Sequence, residues 1–281
     1  MHATTYFIRH GRDWHVGQDE KRRLRENGLI AIHYEPTASV DPRDYKREHQ
    51  QYIRRFVQIA TEGGWVVSAH PPEPSIWIGE VPPGSDIDFR RARNESGDEV
   101  VLKIIRLSAP KCFSAELASR LLAIQPRQQT LCVWTSVGDR ARQLYENGQH
   151  RIRAVRDFLP FEQEVICGEF LRSELTHRFK LPQISHFLFP IGRTLPDIDI
   201  AGVTKDGQRV LAQVTFKGRS QLGEKLTSLQ GRCGASTSLI MFCNDTERDD
   251  SDGVHFVPLQ DAIAQMMRFS PSFAKSLGYD P

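Results

Sequence analysis

The chain has no run approaching the roughly 18 apolar residues of a membrane helix, and its Met-His-Ala-Thr-Thr start lacks the charged-then-apolar layout of a leader. Both absences point to a cytoplasmic chain with no membrane partner. Cysteine is scarce: five residues (Cys112, Cys132, Cys167, Cys233, Cys243), odd in number, widely spaced and never in a C-x-x-C pair. Buried free thiols are expected rather than a disulfide framework. The ten histidines form no H-x-x-x-H or H-E-x-x-H pair, which argues against a structural zinc site. There is no G-x-S-x-G elbow and no G-x-x-x-x-G-K-[ST] phosphate loop, which argues against serine hydrolysis and ATP use. A marked excess of one charge sign is missing too, with 37 Lys and Arg against 35 Asp and Glu. A formal net charge of +2 and a pI near 8.3 permit a polyanionic partner without demanding one.

What is present is a chain of 281 residues, 39% hydrophobic and 26% charged, ample for two buried cores. The expected division is a first domain over 1–137, a charged linker over 138–158 and a second domain over 159–281. In the first, strands are predicted at Thr5 to Arg9, Leu29 to His33, Trp65 to Ala69, Ser75 to Glu80, Val100 to Leu107 and Thr130 to Trp134. Helices are predicted at Gln18 to Glu26, Asp41 to Thr61 and Ser114 to Ile124. This reads as an α+β, barrel-like domain. After about Arg151 the pattern changes to a helix from Phe161 to His177 and strands at Ser185 to Pro190, Asp197 to Val203 and Arg209 to Phe216. A helix at Gln221 to Arg232, with Leu222, Leu226 and Leu229 at i, i+4, i+7, leads to a strand at Ser238 to Cys243. Helix, three strands, helix, strand calls for a mixed α/β sheet with helices against it.

The chemistry concentrates in the second domain. In Pro196-Asp197-Ile198-Asp199-Ile200, period-two alternation places Asp197 and Asp199 on one strand face and the isoleucines on the other. The turn Asp206-Gly207 leads into a strand that presents Gln213, Thr215 and Lys217 together. Paired antiparallel, the two strands bring carboxylate and amide oxygens to one place, the donor set that Mg²⁺ or Mn²⁺ takes while keeping waters for attack on a phosphate. On the preceding helix, Glu162 and Glu169 stand seven residues apart and nearly superimpose. They either complete the metal site or remain solvated near the helix start, where negative charge is favourable.

On these residues the chain resembles the PD-(D/E)XK nuclease superfamily, in particular Mrr-type restriction endonucleases with the motif D…Q-x-K. Asp199, or Asp197, matches the acidic position and Gln213 the amide position, but Thr215 stands where the lysine belongs. Lys217 on the same strand face, or Lys225 from the following helix, is left to replace it. The resemblance covers roughly residues 161–243 and implies a C-terminal αβββαβ nuclease-like fold, a divalent metal and cleavage of nucleic acid, DNA before RNA. The metal set would come from Asp199, Asp197, Glu169 and Glu162, and catalysis from Asp199, Gln213, Lys217 and Thr215.

The N-terminal runs Tyr6-Phe7-Ile8-Arg9-His10-Gly11-Arg12, Asn27 to Ile32, Trp77 to Val81 and Gln125 to Trp134 are similar to the front modules of such proteins. Those modules resemble EVE/PUA-like domains, small barrels that hold a flipped or modified base, so the resemblance implies a reader ahead of a cutter. A base pocket needs aromatic faces, and Trp14, in a polar loop, is the preferred stacking residue. Arg9 and Arg12 are candidate phosphate contacts, and Arg22, Arg23 and Arg25 could extend that stripe, although Asp19, Glu20 and Glu26 dilute it. Two functions stay open: a metal-dependent endonuclease of restriction or antiphage type, and a nucleic-acid-binding module that kept the fold after losing its lysine. One site per chain on a duplex would call for a homodimer or two encounters.

Overall fold

The computed structural model describes residues 4–10, 16–71, 73–94, 96–126, 130–134, 137–188, 198–245 and 247–280, and the chain divides into two units, Met1–His150 and Arg151–Pro281.

The first unit follows its alternating apolar runs. Its elements are β1 (Thr5–Arg9), α1 (Gln18–Glu26), β2 (Leu29–Ile32), α2 (Gln50–Glu62), β3 (Gly64–Ala69), β4 (Ser75–Val81), β5 (Asp88–Arg93), β6 (Glu99–Arg106), β7 (Ser108–Ser114), α3 (Ser119–Ala123), β8 (Leu131–Val133) and α4 (Gly138–Asn147). In place of one barrel-like sheet, the described strands form a five-stranded sheet in the order β7-β4-β3-β1-β8 and a three-stranded sheet, β2-β6-β5. The chain passes from one sheet to the other at the buried Leu107, between β6 and β7. Helix α2 packs Ile53, Phe56 and Ile59 against Tyr6, Ile8 and Val66.

Three sequence expectations change here. The helix expected from Asp41 to Thr61 begins only at Gln50, because local side chains take the backbone amides before it. Asp41 Oδ1 accepts from the Arg43 amide at 2.9 Å and Glu35 Oε1 from the Lys46 amide at 3.0 Å. Most of the helix expected from Ser114 to Ile124 is absent; β7 runs to Ser114 and only Ser119–Ala123 is helical. The stretch expected as the start of a linker is helix α4, whose Ala141 and Leu144 are buried, and the first unit extends to His150.

The second unit contains α5 (Pro160–Arg172), α6 (Leu175–Arg178), β9 (His186–Phe187), β10 (Ile200–Val203), β11 (Arg209–Val214), α7 (Gly223–Gln230), β12 (Thr237–Cys243), β13 (Asp249–Ser251), β14 (Val254–Pro258), α8 (Leu259–Phe269) and α9 (Pro271–Ser276). The six strands lie in the order β13-β14-β12-β11-β10-β9; β9, β10 and β11 are antiparallel neighbours, and β11, β12 and β14 run parallel. The β10–β11 turn closes with Gly207 at φ +85°, a conformation glycine adopts without strain.

Alternation sorts the sheet residues into two cores. Ile200, Val210, Ala212, Ile240 and Phe242 pack with Ile166, Phe170 and Leu171 of α5 and with Ile263 and Met266 of α8. Leu211, Leu239 and Met241 pack on the other face with Leu222 and Leu229 of α7. Both cores close on helices, as a parallel sheet requires. The helix expected from Phe161 to His177 breaks at Ser173, whose hydroxyl donates to the Phe170 carbonyl at 2.8 Å.

Phe170 is fully buried and meets Phe179 and Phe242 edge-on at centroid distances of 5.1 and 6.0 Å. Phe170→Ala is therefore expected to destabilise the second unit by about 3–5 kcal/mol. A urea titration read through that unit's aromatic signals measures it, and a loss below about 1 kcal/mol would contradict this packing.

Candidate active site

Helix α5 starts on Pro160, a residue pre-shaped for a first helical turn. Glu162 reaches back to cap it, its Oε2 accepting from the Leu159 amide at 2.8 Å. Two positions on, Glu164 occupies the edge of the buried face, in line with Cys167, Gly168 and Leu171 at i+3, i+4 and i+7. Burial, and then the negative charge of Asp199, push the Glu164 carboxyl up to about 7, while Lys225 pulls it down. The Cys167 thiol is raised well above its usual value by burial, then by Asp199 and Glu164. The Asp199 carboxylate therefore acts on α5.

Asp199 stands just ahead of β10. Its amide donates to the Ala212 carbonyl at 3.1 Å although Ala212 is the register partner of Ile200, so two residues face one, as in a bulge. The irregularity breaks the alternation expected for this strand: Ile198 joins the core on the α7 face and Ile200 the core on the α5 face. The Asp199 Oδ2 atom accepts from the Val214 amide at 2.7 Å, which pins the carboxylate to the end of β11.

Gln213, next to Val214, is 1% exposed, and its Oε1 has no hydrogen-bond partner among the described residues. A buried acceptor left unpaired costs about 1–3 kcal/mol. Strand β11 ends at Val214, one residue before Thr215, and residues 216–217 form a bend. Thr215 is buried, and its Oγ1 accepts from the Lys217 amide at 3.3 Å. Lys217 is exposed beyond the strand, so the alternation that was to place it beside Gln213 does not reach it.

The structure thus brings Asp199, Gln213 and Thr215 to the end of β11. It engages two other candidates elsewhere: Glu162 caps α5, and Glu169 pairs with Arg172 at 3.4 Å. The carboxyl of α5 that is raised by the Asp199 charge is Glu164. Its signal was present in the sequence, as an acid in register with the apolar stripe of the helix. In the first unit Arg9 donates to the Pro126 carbonyl and lies over the Phe7 ring at 5.5 Å. Asp197, Arg12 and Trp14 lie outside the described residues.

Among the described residues, no three His, Cys, Asp or Glu side chains are grouped as a metal site. The oxygen chemistry nevertheless fits a hard cation: burial and then the Asp199 charge raise the cost of ionising Glu164, and a buried amide oxygen lacks a donor. No helix among the described residues is long and apolar enough to cross a membrane.

No family model and no curated protein matches the chain. Among solved structures, it is similar to a repair endonuclease from Pyrococcus abyssi, at 15% identity over 71% of this chain and 72% of that one, with a TM-score of 0.21. A second similarity is to an EndoMS–dsDNA2 complex, at 11% identity over 86% of this chain and 95% of that one, with a TM-score of 0.20. At such scores these likenesses add nothing to the geometry.

The raised Glu164 carboxyl has a signed consequence. Its pKa is about 7 in the fold against 4.5 for the free group, so the fold holds a proton that the unfolded chain releases between those values. Its contribution to stability is full below pH 4.5 and is lost as pH rises through 7. With chelator present, Glu164→Gln is expected to melt above the wild type at pH 8 and level with it near pH 4. Equal melting temperatures at both values would refute the placement of Glu164.

Proposed function

We propose that the second unit is a metal-dependent endonuclease domain that hydrolyses nucleic-acid phosphodiester bonds, DNA before RNA, in a restriction or antiphage role. The observation that carries this reading is the Asp199 carboxylate held at the end of β11 by the Val214 amide, next in sequence to the buried Gln213 whose Oε1 has no partner among the described residues, while the Asp199 charge helps raise Glu164 on α5. Asp199, Glu164 and Gln213 would hold Mg²⁺ or Mn²⁺, with the neighbouring Asp197 a further candidate ligand. When bound, such an ion neutralises phosphate charge and acidifies a water.

The chain's own groups account for the remaining work. Val214 fixes the direction of the Asp199 carboxylate through its amide. The first unit is proposed as the reader of a flipped or modified base, with Trp14, Arg9 and Arg12 contacting the nucleic acid, and two copies of the chain would cut both strands of a duplex. A second reading, a binding module without cleavage, is favoured by one observation: Thr215 occupies the position where the resemblance expects lysine.

The test is incubation of plain DNA, base-modified DNA and RNA with the protein and Mg²⁺ or Mn²⁺, against a chelator control and Asp199→Asn. Asparagine keeps an oxygen for the Val214 amide while removing the charge. Cleavage is expected only with metal and is expected to fall at least about 100-fold in the variant, with binding in chelator preserved. Metal should raise the melting temperature of the wild type and not that of Asp199→Asn. Binding that depends on salt, without cleavage of any substrate, would instead establish the binding module.

A further inference from the structure

The chain as a whole is nearly neutral, at +2, so a local gathering of its cations carries information. They gather around α6. Arg172 ends α5, Arg178 ends α6, Lys180 follows it, Lys205 lies in the β10–β11 turn and Arg268 in the last turn of α8, all exposed. Of the acids among them, Glu169 is engaged with Arg172 and Asp206 accepts from the Thr204 hydroxyl, which leaves Glu174. No ion pair engages Arg178, Lys180, Lys205 or Arg268 among the described residues.

Two concavities flank α6. One, of about 570 Å³, is lined by Arg172, His177 and Lys205, and the other, of about 540 Å³, by Arg178, Arg268 and Phe269, whose ring is half exposed. Cations spread along both hollows match a succession of phosphates rather than one compact anion, and an exposed ring between arginines suits a base.

Lys180 supplies an independent sign. It holds φ +48° in the turn that closes α6, where its amide donates to the His177 carbonyl at 3.2 Å and the Leu181 amide to the Thr176 carbonyl at 3.0 Å. This closure favours glycine, so a lysine here is held against backbone strain. A need for its charge explains why.

We propose that this belt, from Arg172 through Arg178 and Lys180 to Lys205 and Arg268, binds the backbone of duplex DNA as a phosphate-contacting surface away from the acidic centre. This rests on the nucleic-acid reading above, in its cleaving or its binding form. The turn that carries Lys205 and the Val214 end of β11 are separated by that strand, about 16 Å long at about 3.3 Å per residue. The belt therefore meets phosphates roughly five base pairs from one held at Asp199.

The experiment measures binding of duplex DNA of about 30 base pairs to the full chain in chelator, over a series of salt concentrations. The variants are Lys180→Gly, the belt triple Arg178→Ala/Lys180→Gly/Lys205→Ala, and a control triple of exposed cations outside the belt, Arg153→Ala/Arg156→Ala/Lys275→Ala. The belt triple is expected to bind at least about tenfold more weakly, with a log–log salt slope shallower by about two to three, and the control triple within about threefold of wild type. Lys180→Gly is expected to melt above wild type while binding more weakly, a pairing that a purely structural lysine would not produce. Binding by the belt triple within about threefold of wild type, or an equal loss in the control triple, overturns the assignment and leaves the reading of the acidic centre intact. A mononucleotide that displaces the duplex and stabilises wild type but not the belt triple would make the belt a small-ligand site, which also overturns it. Absence of binding to any nucleic acid by wild type overturns the nucleic-acid reading and this assignment together.

Discussion

A carboxyl half-withdrawn from water on one side of a sheet, and facing the charge of a second acid at the end of a strand, is costly to ionise, and Glu164 of the second unit carries that cost. The Val214 amide holds Asp199 in place, and the core beneath α5 holds Glu164 in place. Burial first, and the Asp199 charge second, push its carboxyl up to about 7.

The bulge at Asp199 is the local device that makes the arrangement possible. A regular strand would have sent Ile198 and Ile200 to one face. Here they enter different cores, and the carboxylate between them is directed to the strand end, where Gln213 and Thr215 also lie. The mixed sheet supplies the frame: β11 is antiparallel to β10 and parallel to β12, so the crossover through α7 passes close to the end of β11.

Much of this frame was legible in the sequence because it is written in periodicity. The strands around Leu211 and Ile240 and the leucine stripe of α7 follow directly from spacing. What was not legible depended on interactions between distant segments. The bulge arises from a cross-strand hydrogen bond that no local pattern records. The choice of Glu164 over Glu162 and Glu169 depends on which flank of α5 faces the sheet, since Glu162 is diverted to a cap and Glu169 to Arg172. The hairpin β13–β14 and helix α8 went unread, although α8 furnishes a large share of the core under α5. In the first unit, the side chains of Asp41 and Glu35 postponed a helix that periodicity alone would have started earlier.

The packing of α5 against α8 also sets the order of events during synthesis. The hairpin β10–β11 is local and can form as soon as it emerges, but Glu164 is brought to Asp199 only when α5 has a core to lie on. That core includes Leu259, Ala262, Ile263 and Met266, which are made well after Glu164 and Asp199. A partly made chain therefore carries the acidic residues without their convergence, and the acidic centre assembles only after residues 259–269 have joined the core.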